Sequence, residues 1–305
     1  MKKKFQNGDI DKHQYMQEIF QYHKNLFDYP QFLIDSPIQK IEISKEKVLF
    51  HIEDKGDLIK LYCDGRDAYS LPLIYMNLLE TESNERRIIN ELINHDDVVF
   101  DIGANIGWYS ISLMLKKKDI SVFSFEPIPS SYQLLKENLE INKLNTSNIF
   151  NFGLSDENKK VKFFFDVEYA MASSMADLRG SVKTEFVECD TKRLDDFVNS
   201  TPNLNRLDFI KCDVEGAELL VFKGGLKTIE KYKPIVLFEM LRKWSAKFNY
   251  HPNDIINLFK ELDYECFAIG NKAIRKLTYV DEETVETNYL CLEKNKHKEL
   301  INNLS

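Results

Sequence analysis

Asp101, Gly103, Asn105 and Gly107 lie close together in the stretch VVFDIGANIGWYSIS, residues 98–112. An apolar run that ends in a carboxylate and a glycine turn points to a ligand site, because a charge at the end of a buried strand is costly unless a partner compensates it. Gly103 allows a sharp turn with no side chain between backbone and ligand, and Gly107 lets the next helix pack close. Two cofactor classes compete for such a turn. Dinucleotides use three glycines, so that the backbone can approach a pyrophosphate at a helix N-terminus. Here Ala104-Asn105-Ile106 stand in the middle, and Asp101 sets negative charge where the phosphates would lie. S-adenosylmethionine (SAM) has no phosphate and is cationic at its sulfur and amino group, so Asp101 suits it by holding the ammonium in a charge-assisted bond. Asn105 shares this turn. The residues therefore favour SAM over NAD.

Further carboxylates close later strands. Glu126, in Phe125-Glu126-Pro127, is placed to accept hydrogen bonds from ribose hydroxyls. The next strand ends in Phe152-Gly153-Leu154-Ser155, where Leu154 by packing or Ser155 by hydrogen bonding would touch adenine. Then Ile210-Lys211-Cys212-Asp213-Val214-Glu215-Gly216-Ala217-Glu218 runs from a buried strand straight into three carboxylates. Asp213 is the first choice for a general base, Glu239 at the end of IVLFE the second, and His251 in NYHP the third. Neighbouring carboxylates push one pKa up, which suits a base, and the same pair would accept a divalent cation through oxygen. Glu218 reads as an acid at a helix N-terminus. Arg242-Lys243-Trp244 pairs cations with a stacking ring, and with Lys211 and Arg179 supplies local positive charge for an anionic substrate. The small, Met-rich AMASSMADLR, 170–179, reads equally as a lid or as an ordinary hairpin loop.

The elements that must position these residues alternate. From residue 98, apolar strands and helical segments follow one another to NYLCLE near the end. Unbroken apolar strands between helices mean a mostly parallel sheet covered on both faces. Seven main strands are expected. The last two are joined without a helical pattern, so the final one is expected to run antiparallel. KVKFFFDV and EFVECDT read as an inserted hairpin. Ser130 and Gln133 have the spacing of a capping box, and Pro252 that of a first-turn helix proline. Before this unit, residues 1–35 read as one or two helices, IEISKEKVLFHIE as a strand that pairs with LIKLYC, and 71–94 as helical. The expected organisation is an α/β appendage over 1–95 and a cofactor domain over 96–305.

Net charge is −8, from 41 basic and 49 acidic residues, which argues against a nucleic-acid partner. The five cysteines are scattered with no CxxC pair, as in reduced core thiols of a cytoplasmic protein. The basic N-terminus lacks the apolar stretch of a signal peptide, and no run is long enough to span a bilayer. Oligomeric state stays open.

DIGANIG, FEP, GLSD, LDDF (194–197), IKCDVEGAE and the strand ending in FE, in this order, resemble the FkbM family of SAM-dependent methyltransferases over about residues 75–270. The resemblance implies a Rossmann-like class I methyltransferase fold, seven strands with the last antiparallel, SAM as donor and an oxygen acceptor. It matches Asp101, Gly103, Asn105 and Gly107 to the first cofactor motif, Glu126 to the ribose carboxylate, and Asp213 with Glu215 to the DVEG motif beside cofactor and substrate. Composition rich in Lys, Asn, Ile and Phe, as in AT-rich bacterial genomes, adds an expected acceptor: a surface-polysaccharide sugar, such as that of a capsule, offered as a nucleotide sugar. The alternatives are a lipid or polyketide hydroxyl, a non-catalytic SAM-binding module, and a dehydrogenase.

Overall fold

The computed structural model describes residues 1–63, 84–166, 169–175, 184–270 and 273–304. The chain opens with helices Lys2–Gln6 and Lys12–Leu33. Asp11 caps the second in a reciprocal box with Gln14. Three strands follow as an antiparallel meander: β1 (Ile38–Ile43), β2 (Val48–Asp54) and β3 (Asp57–Tyr62). The stretch 41–53, expected as one strand, is thus the end of one and most of another. The break is made by Ser44, whose Oγ accepts from the backbone of Glu46 and Lys47 and donates to the Lys47 carbonyl. A serine turn replaces the glycine or proline that would have announced it.

After the helix Asn84–Leu92 come β4 (Val98–Ile102), helix Trp108–Lys116, β5 (Ser121–Phe125), helix Pro129–Ile141, β6 (Ile149–Phe150), β7 (Gly153–Ser155), β8 (Lys159–Asp166), β9 (Tyr169–Ser174) and β10 (Thr184–Arg193). Helix Leu194–Ser200 leads to β11 (Phe209–Cys212), helices Glu218–Gly224 and Leu226–Tyr232, and β12 (Ile235–Glu239). Helices Arg242–Ser245 and Pro252–Glu261, β13 (Tyr264–Ile269), β14 (Ile274–Leu277), β15 (Asn288–Glu293) and helix Lys298–Leu304 complete the chain.

The main sheet has eight strands in the order β14-β13-β15-β12-β11-β4-β5-β6. β12, β11, β4, β5 and β6 run parallel. β15 inserts between β12 and β13 and runs antiparallel to both, the orientation expected for the final strand. The additional edge strand β14 takes the count from seven to eight. The inserted hairpin is also present, as β8 and β10 in a second sheet of order β7-β10-β8-β9. Two local expectations change. SNIFNFGLS is not one strand: β6 ends after two residues, and Gly153–Ser155 leaves to pair in parallel with β10. Ser130 caps nothing, because Pro129 takes the first helical position and Ile128 the cap. Pro252 does open its helix. Residues 170–174 of the expected lid or loop lie in β9, and 176–179, with Arg179, fall outside the described residues.

Each face of the main sheet is buried. One carries Phe100, Ile102, Ile210, Cys212, Val236 and Phe238, the other Val99, Val122, Phe209 and Leu237. The meander closes over the first helices of the main unit, where Ile38, Phe50, Ile52, Ile59 and Leu61 pack with Trp108, Ile111, Leu135 and Leu139. The edge of β3 is sealed by side chains. Asn138 exchanges hydrogen bonds with the backbone of Tyr62, and Asn142 with that of Lys60. Each asparagine offers a donor and an acceptor, so it extends the strand ladder as another peptide would. Beneath, buried Asp54 pairs with Arg86 at 2.5 Å and Lys116 at 2.6 Å. Cys189, Cys212, Cys266 and Cys291 are buried and all five cysteines are free. Among the described residues no helix is long and apolar enough to cross a membrane.

Candidate active site

Strand alternation decides which side chains meet. Asp101 on β4 is in register with Lys211 on β11 and Ser124 on β5, and Lys211 with Leu237 on β12. Two residues further along β11 and β12, on the same face, come Asp213 and Glu239. The carboxyl ends of three parallel strands therefore gather three acids around one buried lysine. Lys211 donates to Asp213 Oδ2 at 3.1 Å and lies 4.6 Å from the centre of the Tyr109 ring. Burial alone would lower its pKa, but Asp213, Asp101 and Glu85 outweigh it and hold the ammonium charged. Glu85 hydrogen-bonds Tyr109 and is itself raised by burial.

The turn itself is built of left-handed backbone at Gly103 (φ 83°), Asn105 (φ 49°) and Gly107 (φ 95°). Gly103 is pressed against the Asp213 backbone, whose N–H donates to the Ile102 carbonyl. Its missing side chain thus serves close approach of the β4 and β11 ends. Gly107 makes room for Leu135 and Ile111, the close helix packing expected of it. Glu126 closes the turn from β5. Its Oε2 accepts from Asn105 N at 2.9 Å and its Oε1 from Ile128 N at 2.8 Å, and burial, with Asp101 adding, pushes its pKa up to about 7. Asp101 Oδ2 accepts from Ser110 Oγ at 2.5 Å, and Ser110 Oγ lies 2.7 Å from Ser124 Oγ. Its other oxygen is buried with no hydrogen-bond partner. An unpartnered buried carboxylate oxygen beside a glycine turn fits a cationic ligand group, which is the chemistry of the SAM ammonium. The residues present therefore fit that cofactor.

On the far side, Glu215 is left-handed (φ 55°) and half-buried. Burial first, then Asp213 and Glu239, push it up to about 10, while burial and then Asp213 push Glu239 up to about 8. Glu218 is a clamp: it accepts from Val214 N and Gly216 N and from the Tyr250 hydroxyl, and burial raises it to about 7. Among the described residues no group of three His, Cys, Asp or Glu could hold a metal ion.

Several expected contacts are elsewhere. Leu154 is buried in the core beneath the sheet, and Ser155 is buried where Gly224 packs on its carbonyl; the split of the third strand turns both inward, so neither offers surface to an adenine. His251 is an exposed helix cap whose Nδ1 accepts from Asn253 N, while Asp254 accepts from its own N–H. Arg242 donates to the carbonyls of Asp281 and Glu282, so its guanidinium fastens a loop. Trp244 packs on Gly216, under the Lys243 ammonium. Lys211 serves Asp213 and not an external anion. The sequence reading missed Glu85, Tyr109, Ser110 and Ser124, which come from neighbouring helices and an inner strand. Replacing Lys211 by Met should destabilise the fold by about 3–5 kcal/mol, the cost of leaving buried charges unpaired; urea unfolding measures it, and a loss under about 1 kcal/mol contradicts this role.

Residues 101–266, more than half of the chain, match the family model of the methyltransferase FkbM domain. Over 160 residues the chain is 30% identical to the 2-O-methyltransferase NoeI of Sinorhizobium fredii, covering 48% of this chain and 64% of that one, short of two thirds of its length. It is 27% identical over 183 residues to the hexuronic acid methyltransferase AglP of Haloferax volcanii, covering 60% and 70%. A solved FkbM methyltransferase from Methylobacillus flagellatus aligns with a TM-score of 0.41 at 20% identity, over 66% of this chain and 45% of the other. With the glycine turn and the carboxylates Asp101, Glu126, Asp213 and Glu239 all inside the matched span, the chain belongs to the FkbM methyltransferase family.

Proposed function

We propose that the protein is a SAM-dependent O-methyltransferase whose acceptor is a sugar hydroxyl, presented as a nucleotide sugar of a bacterial surface polysaccharide. The observation that carries this reading is the acid cluster at the ends of β4, β11 and β12, organised by buried Lys211. The activities for which the two relatives are named, 2-O-methyltransferase and hexuronic acid methyltransferase, support a sugar oxygen as acceptor.

Asp101 would hold the cofactor's ammonium and Glu126 its ribose, with the turn Gly103–Gly107 between them. Bound there, SAM supplies a methyl made electrophilic by its positive sulfur. The protein's own task is alignment and proton removal. A sugar hydroxyl is a poor nucleophile and loses its proton as the new bond forms. Asp213, fixed by Lys211 and partly exposed, would take that proton. Glu239 would be the second choice for this proton, and Glu215 would face the sugar.

Two tests follow. Calorimetry should show SAM binding and no NAD binding, with Glu126→Ala reducing SAM affinity at least about tenfold, the worth of a charge-assisted hydrogen bond. NAD binding in place of SAM would overturn the reading. Where Glu239 takes the proton it must be ionised, and its pKa is raised to about 8. kcat/KM should therefore rise with pH and level off above about 8, as a free-enzyme base requires. Glu239→Gln should remove that limb. A rate independent of pH through this range would exclude Glu239 from the step.

A further inference from the structure

We propose that the outer face of helix 12–33 is a homodimer interface, packed antiparallel against the same helix of a second copy. This 22-residue helix has no buried residue, yet it is rich in large apolar side chains. Most of them fall on two stripes, with Phe32 outside both. Leu26, Tyr29 and Leu33 look into a cleft of about 830 Å³ shared with Ile41, Val48 and Phe50 of the meander. Met16, Phe20, Phe27 and Ile34 form the other stripe, with His23 and Pro30 at the intervening positions of an alternating spacing of four and three. At 3.6 residues per turn the two stripes are roughly 100° apart, so the second cannot share the support of the first. Its side chains stand 55%, 54%, 78% and 67% exposed.

Spacing of four and three along one seam is the pattern by which helices pack on helices. The helix is about 33 Å long. Covering the four side chains removes roughly 500 Å² per protomer, from the area such side chains bury, and their polar neighbours extend this toward the roughly 800 Å² per partner of a stable interface. Charge selects the direction. The basic end carries Lys2, Lys3, Lys4 and Lys12 against Asp9, Asp11 and Glu18, the short helix being folded back through the Phe5–Tyr15 stack. The other end carries Asp28 and Asp35. An antiparallel pair centred near His23 brings Phe20 against the partner's Phe27 and Lys12 against the partner's Asp35. A second copy fits both the seam and the charge gradient, whereas an anionic bilayer would meet the acidic end as well as the basic one.

Sedimentation velocity of the full chain over a dilution series tests this. The wild type should sediment as a dimer, and Phe20→Lys with Phe27→Lys as a monomer with an unchanged circular dichroism spectrum, since neither side chain is buried. Lys12→Asp should weaken the dimer and Lys12→Asp with Asp35→Lys restore it. A monomeric wild type, or a doubly lysine-substituted chain that stays dimeric, overturns the proposal. So does a wild-type monomer that co-floats with phosphatidylglycerol vesicles, which would give the stripe to a lipid surface.

Discussion

Asp213→Asn should lower the rate of methyl transfer by about a thousandfold, within the usual range for loss of a general base, while SAM affinity changes by no more than about threefold. Asn keeps the shape and still accepts from the Lys211 ammonium, so the site should stay assembled. The substitution carries an internal check. Asp213 is, after burial, the largest cause of the raised pKa of both Glu215 and Glu239. Removing its charge should let both carboxyls ionise at lower pH, and the alkaline limb of residual activity should move toward acid. Single-turnover rates across pH measure both effects. A variant that turns over like the wild type would remove Asp213 from catalysis. A variant that loses SAM binding in step with turnover would make it a cofactor ligand instead.

Gly103→Ala should cost at least about 4 kcal/mol, in the range reserved for overpacking and backbone strain combined. Two causes act together. The φ of 83° is a conformation that side chains other than glycine rarely adopt, and a Cβ there would overlap the Asp213 carbonyl, with its carbon at 2.9 Å. No flexible side chain stands at that point to give way: the obstacle is backbone, tied by Asp213 N–H to the Ile102 carbonyl at 3.0 Å. The only relief is separation of the β4 and β11 ends, which parts Asp101 from Lys211 and Asp213. Urea unfolding should therefore show a large loss, and any folded fraction should bind SAM poorly. An Ala variant of native stability and affinity would show that the strand ends do not approach as described.

The parts of the site that were legible in the sequence are those built from consecutive residues at a strand end. Asp101 to Gly107 and Asp213 to Glu218 announce themselves because an apolar run stops at acids and glycine, and the alternation of strands and helices places them on one sheet edge. What was not legible depends on partners distant in the chain. Lys211 reads as a spare cation until β4 and β11 pair and set Asp101 beside it. Arg242 reads as a substrate cation until the loop at Asp281 and Glu282 supplies its acceptors. Leu154 and Ser155 were misplaced because an apolar segment does not show that it will switch sheets after two residues. The Ser44 turn and the Pro129 helix start were missed for a local reason: side-chain hydrogen bonds and a first-turn proline override the propensities that place strand and helix ends.

The most direct test of the central claim is to incubate the purified protein with SAM and a panel of nucleotide sugars and to weigh each product by mass spectrometry. One nucleotide sugar should gain the mass of a single methylene, and only in the presence of SAM. If SAM binds and no sugar in the panel gains mass, the acceptor is not a nucleotide sugar and the proposed function is contradicted.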